Sequence, residues 1–310
     1  MSTLDQPLLD AWYLTGATAG GKSAVGLELA RRLGAEIVSL DSMAVYRGMD
    51  IGTAKPTPEQ RAAVPHHLLD LLEPTEEFSL SQYCEAAHRT AAEIRSRGKE
   101  VLFVGGTPLY LKGLLRGVFE GPPADWEFRR QVEAEVEQLG NGPLHERLMQ
   151  IDPISAVKLH KNDTRRMIRA LEVYRATGQP ISHLQLQFEE PRGAVRAFVL
   201  SWPREEQHRR IEARVEAMFA AGLVEETAQL LKKHGALGRT AAQAVGYREV
   251  IAHLSGETSL EEARAAVKAR TRQFCRRQET WFRGLAELRP IPMAEPLDPA
   301  ATAEAILAAA

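Results

Sequence analysis

Cysteine is nearly absent, with only Cys84 and Cys275 in 310 residues. Two such distant thiols make neither a disulfide scaffold nor a CxxC unit, and a reduced, cytoplasmic setting is the expectation. The nine histidines include the pair His66-His67, yet HExxH and CxxC-with-HxxxH spacings are both missing. A structural zinc site therefore has no support. No run approaches the ~18 consecutive apolar residues of a membrane span. The first ten residues carry Asp5 and Asp10 with no basic segment before an apolar one, so neither membrane insertion nor secretion is expected. Net charge is lacking too: 39 Lys and Arg against 41 Asp and Glu leave −2. Taken whole, that balance argues against a nucleic-acid partner. What is present is ordinary globular composition, 44% hydrophobic and 26% charged. The length suits about two domains, or one core carrying an insertion.

Residues 11–34 read strand, glycine loop, helix: AWYLT, GATAGGKS, then SAVGLELARRLG with a helical apolar period. EIVSL (36–40) reads as a second strand ending at Asp41-Ser42. A helix is predicted from Ser79, a plausible N-cap, to Arg97 before Gly98. VLFV (101–104) is a buried strand ending in Gly105-Gly106-Thr107. Strands alternating with helices imply a parallel α/β sheet. From Asp125 to about Gln187 the text is helical with Gly and Pro punctuation, and AVRAFVL (194–200) is a strand again. The economical division is a first core segment at 1–117, a helical insertion at 118–192 and a resumed core at 193–310. Three helices follow, near 204–234, 240–254 and 259–286, and the alanine-rich last dozen residues read as a loosely held helix.

Gly16-Ala17-Thr18-Ala19-Gly20-Gly21-Lys22-Ser23 satisfies GxxxxGK[ST] in the required setting, after a strand and opening a helix. Glycines let successive N–H groups converge on phosphate oxygens, the helix N-terminus adds positive potential, and Lys22 supplies a mobile charge. Ser23 is the expected Mg²⁺ ligand. The motif specifies a di- or triphosphate and leaves the reaction open. A nucleotide hydrolase needs an apolar strand ending in Asp for Mg²⁺, whereas VLFV ends in glycines; His67-Leu68-Leu69-Asp70 is a weak substitute. A transferase with another phosphorylated donor gains ground accordingly. Ligands of open parallel sheets gather at the carboxyl ends of strands, which groups Asp41, the Gly105–Thr107 turn and the phosphate loop.

The −2 also hides segregation. Arg264, Lys268, Arg270, Arg272, Arg276, Arg277 and Arg283 face one acidic residue, Glu279, a local +6. Val267, Phe274 and Trp281 recur every seven residues as the expected buried stripe. Arg165, Arg166 and Arg169 form a second cluster, with Met167, Leu171 and Tyr174 as its buried counterpart. The stretch 120–150, by contrast, has seven acidic and three basic residues. Guanidinium faces of this kind suit phosphate backbones, and two basic helices in separate segments suit a clamp on an RNA whose base is extruded. A solvated, glutamate-paired face is the plainer alternative.

GATAGGKS (16–23), DSMAVYRGMDIGTAKP (41–56), PHHLLD (65–70), VGGTPLYLKGLL (104–115), NDTRRMIRALEVY (162–174), RIEARVEAM (210–218), QAVGYRE (243–249) and RRQETWFRG (276–284) run in order over nearly the whole chain. Together they resemble the tRNA dimethylallyltransferases, which prenylate N6 of the adenine 3′ of the anticodon. The resemblance implies an α/β fold: a P-loop NTPase-like parallel sheet with helices on both faces and an all-helical, tRNA-binding insertion. It implies dimethylallyl diphosphate as donor, Mg²⁺, the tRNA anticodon stem-loop as acceptor, no membrane, and a monomer. It places Gly16 to Ser23 on the diphosphate, Asp41 as base at the N6 amine, Thr107 at the reaction centre, and Lys22 and Arg214 on the leaving diphosphate.

To tRNA the resemblance assigns Asp41, Ser42, Met43, Ala44, Thr107 and Arg129. It adds Arg165, Arg166, Met167, Ile168 and Arg169, then Gln243, Ala244, Val245, Gly246, Tyr247 and Arg248. The final set is Arg276, Arg277, Gln278, Glu279, Thr280, Trp281, Phe282 and Arg283. Two positions depart from the family pattern: Ala44 stands where many members have Gln, and Ala17 replaces the usual loop proline. The eukaryotic zinc-finger tail has no counterpart, which leads to the expectation of a bacterial-type enzyme. Two other classes stay open: a P-loop small-molecule or nucleoside kinase, and a non-catalytic nucleotide-switched RNA-binding protein.

Overall fold

The computed structural model describes residues 3–191, 193 and 195–310. It divides into a larger α/β unit, residues 7–115 with 193–310, and a helical unit, residues 3–6 with 116–191. The α/β unit begins with β1 (Trp12–Gly16), α1 (Lys22–Leu33), β2 (Ala35–Leu40), α2 (Pro58–Ala63), β3 (His66–His67), α3 (Leu80–Ser96), β4 (Glu100–Gly105) and α4 (Pro108–Arg116). The helical unit holds α5 (Trp126–Leu139), α6 (Asn141–Ile151), α7 (Pro153–Lys158), α8 (Thr164–Thr177) and α9 (Ile181–Gln185). The α/β unit then resumes with β5 (Arg196–Ser201), α10 (Arg204–Ala220), α11 (Leu223–His234), α12 (Tyr247–Leu254), α13 (Leu260–Arg283), β6 (Arg289–Pro292) and α14 (Pro299–Ala308).

All six strands are parallel, in the order β3-β2-β4-β1-β5-β6. Parallel strands are covered on both faces, and every residue of β1 and β2 is accordingly buried. Period-two alternation sends Trp12, Leu14, Ile37, Leu102, Phe198 and Leu200 to one face, against Val25 and Leu29 of α1 and Ala303 and Ile306 of α14. On the other face Tyr13 stacks on Phe103, their centroids 5.0 Å apart. There α3 lies against β2 and β4, and Tyr83 donates to the Ser39 carbonyl. Ser79 caps α3 reciprocally with Gln82, which fixes its start where the sequence places it.

A second apolar cluster joins the segment after β2 (Val45, Tyr46, Met49) to α10–α13 through Ile211, Val215, Leu223, Tyr247, Val250 and Val267. The arginines of α13 are thus carried on a helix with one firmly packed face. The helical unit has its own core, in which Phe128, Val132, Leu144, Leu148, Met167, Ile168 and Leu171 meet. Among the described residues no helix is long and apolar enough to cross a membrane.

Four expectations change. The helix read over 204–234 breaks at Gly222, whose φ of +98° is left-handed, a conformation glycine adopts at little cost. The C-terminal helix is firmly docked, with Ala303 and Ile306 fully buried on the sheet beside α1. The stripe of α13 is Ala263, Val267, Thr271, Cys275, Gln278 and Phe282; Phe274 and Trp281 are exposed, because a seven-residue repeat drifts off a straight helix's buried line. Tyr174 likewise lies at the surface of α8. The edge strands β3 and β6 were not anticipated, being only two and four residues long and, in β6, bearing two prolines.

Candidate active site

The phosphate loop joins β1 to α1 and presents its amides by having its carbonyls tied down. Ala17 O accepts from Gly20 N at 3.1 Å and from Lys22 Nζ at 2.8 Å. Gln207 Nε2 donates to Thr18 O at 2.6 Å, Arg210 Nε to Ala19 O at 2.9 Å, and Trp202 Nε1 to Gly20 O at 2.9 Å. With those carbonyls held, the N–H groups of Ala19, Gly21, Lys22 and Ser23 take no hydrogen-bond acceptor among the described residues. Free amides at a helix N-terminus form an anion site. Sequence reasoning missed Trp202, Gln207 and Arg210. The available signal was the i, i+3, i+7 spacing of Gln207, Arg210 and Arg214, which puts all three on one face of the helix that follows β5.

The neighbouring strand ends supply the second wall. Leu40 of β2 pairs with Gly105 of β4, so Asp41 and the Gly105–Thr107 turn emerge side by side. Thr107 N donates to Leu40 O at 3.1 Å, and Thr107 Oγ1 accepts from Ser42 N at 3.0 Å. Asp41 Oδ1 accepts from Met43 N at 2.8 Å and from Ala44 N at 3.3 Å. One oxygen therefore does the work of a turn aspartate, while Oδ2 takes no hydrogen bond among the described residues. Ala44 is buried, and its methyl has no polar group to offer a base. Asp70 is no stand-in for a hydrolase aspartate: Lys55 and Arg61 bind its two oxygens at 2.6 and 2.8 Å.

Charge converges on this crevice. Burial pushes the Lys22 ammonium down to about 8, the Arg214 guanidinium pushes the same way, and Asp41 partly opposes both. Arg214 is itself lowered by burial and supported by Asp41. No ion pair within 4 Å holds Arg214 among the described residues. Two cations kept near each other with one carboxylate leave a surplus of positive charge, an environment for a dianionic or trianionic ligand. Ser23, on the exposed first turn of α1, offers a hydroxyl for Mg²⁺, and no group of three His, Cys, Asp or Glu side chains able to hold a metal occurs among the described residues. This donor set fits an ion carried largely by a ligand's phosphate oxygens.

The basic helix α13 is two surfaces. Arg264 and Lys268 pair with Glu216, Arg272 with Glu212, and Arg270 with Glu249. The glutamate-paired reading thus holds for the first half of the helix. Arg276, Arg277 and Arg283 have no carboxylate within 4 Å among the described residues, and they share the outward surface with Thr280 and the half-exposed Trp281. Gln243 and Arg248 are exposed as well.

Inside the helical unit, Arg129 grips Glu172 with two hydrogen bonds of 2.8 Å, and Arg169 binds the same carboxylate. Glu172 is 2% exposed; burial raises its carboxyl, and the hydrogen bonds from Arg129 and Arg169 outweigh that and hold it below its ordinary value. Arg165 and Arg166 are exposed, with Asp163 at 3.3 Å from Arg166. Several residues assigned to tRNA have side chains that this fold closes off. Met167 and Ile168 lie in the helical core, Ala244, Tyr247 and Phe282 in that of the α/β unit, and Gln278 against the phosphate loop. In this fold these six side chains face inward, and for those on α8 and α13 the cause is helical periodicity, which turns every third or fourth residue of a surface segment toward the core.

Comparison with known proteins agrees with this geometry. The IPP transferase family model matches residues 44–285, and the isopentenyl transferase model residues 9–75. A tRNA dimethylallyltransferase of Rhodopirellula baltica is 51% identical over 290 residues, 90% of this chain and 87% of that protein. One from Geobacter metallireducens is 47% identical, covering 88% and 89%. The crystal structure of the full-length tRNA isopentenylpyrophosphate transferase of Bacillus halodurans superposes with a TM-score of 0.71 at 36% identity, covering 97% of this chain and 95% of that one. A eukaryotic dimethylallyltransferase acting on tRNA gives a TM-score of 0.74 at 26% identity, covering 92% and 74%. With this parallel sheet, this phosphate loop and these relatives, the chain belongs to the IPP transferase family, that of the tRNA dimethylallyltransferases.

Proposed function

We propose that the protein transfers the dimethylallyl group of dimethylallyl diphosphate to N6 of the adenine 3′ of the anticodon in tRNA, releasing diphosphate. One observation carries the reading: the strand beside the phosphate loop ends in Gly105-Gly106-Thr107 where a nucleotide hydrolase needs an aspartate, with Thr107 bound to Ser42 next to Asp41, whose Oδ2 is the open carboxylate oxygen there among the described residues. A loop that binds diphosphate beside a carboxylate with one open oxygen suits displacement of diphosphate by a nucleophile needing a base.

The exocyclic amine of adenine is a weak nucleophile because its lone pair is delocalised. Asp41 Oδ2 accepts a hydrogen bond from the amine and takes its proton as the N6–C bond forms and the allylic C–O bond breaks. The electron pair of that bond leaves with the diphosphate. Its growing charge meets the loop amides, Lys22 and Arg214, all in place before reaction. Thr107, fixed by Ser42 N, stands at the same strand ends for a hydrogen bond near the breaking bond. Bound Mg²⁺ on Ser23 would add Lewis-acid stabilisation of the leaving oxygens. The adenine must leave its stack at a cost of a few kcal/mol, which the arginines at 276, 277 and 283 offset by holding the RNA backbone.

Incubation with dimethylallyl diphosphate, Mg²⁺ and unmodified tRNA, followed by nucleoside mass analysis, tests this. The expected product is adenosine heavier by one C5H8 unit. ATP consumption with a small acceptor and no tRNA would select a kinase instead, and tight nucleotide binding with unmodified RNA a switched RNA-binding protein.

A further inference from the structure

Gln278 lies on the RNA-facing segment of α13, yet it points inward and is 3% exposed. Its amide spans two catalytic elements far apart in sequence. Oε1 accepts from Thr18 N of the phosphate loop at 2.9 Å, and Nε2 donates to Gly106 O of the β4 turn at 2.6 Å. A Cβ placed on Gly106 would lie 2.7 Å from Nε2 and 3.5 Å from Lys22 Nζ, so the amide sits at the edge of the reaction centre. Both polar ends bind backbone groups of the site rather than pointing to the RNA-facing surface. A buried amide bound at both ends is rigid and correspondingly costly to replace.

We propose that Gln278 is a positioning residue that fixes the gap between the loop holding the leaving diphosphate and the turn carrying Thr107, and so acts on turnover and donor binding. The inference rests on the transfer reading above. The same helical turn shows Arg276 and Arg277 outward, so one rigid helix locates the acceptor and, through Gln278, the donor loop. By taking Thr18 N–H, Gln278 also keeps that amide from bonding elsewhere, and Gln207 on Thr18 O restrains the next peptide group. Spacing of this kind matters because misplacing reacting groups by ~1 Å costs up to about 100-fold in rate.

The test compares wild type, Gln278→Met and Gln278→Glu, each checked by thermal melting. Met removes both bonds at similar volume; Glu retains an acceptor for Thr18 N–H and has no proton for Gly106 O. Expected are a kcat about 10 to 100 times lower for Met, a tRNA KM within about twofold of wild type, and weaker calorimetric binding of inorganic diphosphate. Glu is expected to fall with Met, because the spacing needs both bonds, and it decides the matter if Met does not fold. A raised tRNA KM with unchanged kcat would make Gln278 an RNA contact, and unchanged kinetics and diphosphate binding would make it core filling; either overturns the inference. If wild-type protein transfers nothing, the functional reading fails, and the diphosphate titration still reports on the loop.

Discussion

The Arg214 guanidinium and the Lys22 ammonium stand close enough that each cation is held beside another of its own sign, with Asp41 as the partial counterweight. Folding therefore sets positive charge in place ahead of an anionic ligand. Such a site trades stability for binding, which is common where pre-formed charge must meet a leaving group.

Lys22 is lowered from its usual range to about 8, by burial first and Arg214 second. In the free protein the folded state then binds fewer protons than the unfolded chain between about pH 8 and 10.5, so this residue's contribution to stability rises with pH in that window and is a constant penalty below it. Lys22→Met should melt higher than wild type near pH 7 and lose the rise above pH 8. Calorimetric binding of diphosphate to wild type should weaken above about pH 8, as the ammonium deprotonates, and a flat profile would contradict the placement of Lys22.

Asp41→Asn keeps an acceptor for Met43 N and Ala44 N but removes the base. We expect kcat to fall by about 100-fold or more with tRNA affinity nearly unchanged. Asp41→Ala also frees the 42–44 turn, and should raise the KM for tRNA in addition. The comparison of the two variants by steady-state kinetics separates proton transfer from loop order.

Arg276→Glu with Arg277→Glu should raise the tRNA KM at least about tenfold and reduce the slope of log affinity against log salt by about 1 to 2. Arg264→Glu with Arg272→Glu, whose partners are Glu216 and Glu212 on α10, should leave that slope nearly unchanged. Equal effects from both pairs, measured by filter binding over a salt series, would return the whole helix to a solvated face.

A methyl on Gly52 would lie 2.4 Å from the ring of Tyr247, which is fully buried. The ring is fixed through its hydroxyl on Glu226 at 2.6 Å, and Glu226 also takes the N–H groups of Asp50, Ile51 and Gly52. Gly52→Ala should lower stability by about 1–3 kcal/mol in urea unfolding, the usual range for overpacking. Because this cradle anchors the segment that begins at Asp41, turnover should fall with it.

Much of the donor half of the site was legible. Glycine spacing, the strand before it and the helix after it name Gly16 to Ser23 from local physics alone, and the resemblance supplied Asp41, Thr107 and Arg214. The restraints on that loop were not legible, since Trp202, Gln207, Arg210 and Gln278 reach it from about 180 to 260 residues away. Arginine content foretold a basic helix but not its division, because whether Arg264 or Arg276 is neutralised depends on glutamates of α10 that only packing brings near. The short strands β3 and β6 carry too few residues to show a period, and α14 is alanine-rich enough to pass for a frayed end until Ala303 and Ile306 meet the sheet.

The docking of α14 on the sheet face beside α1 has a consequence for assembly. The helix that opens from the phosphate loop leaves the ribosome well before α14, whose side chains are among its hydrophobic neighbours. β1 also waits for β4 on one side and β5 on the other. Such distant pairings make maturation slow and late. A nascent chain would thus emerge with its anion-binding motif already synthesised and acquire a working cradle only after α13 and α14 have joined it.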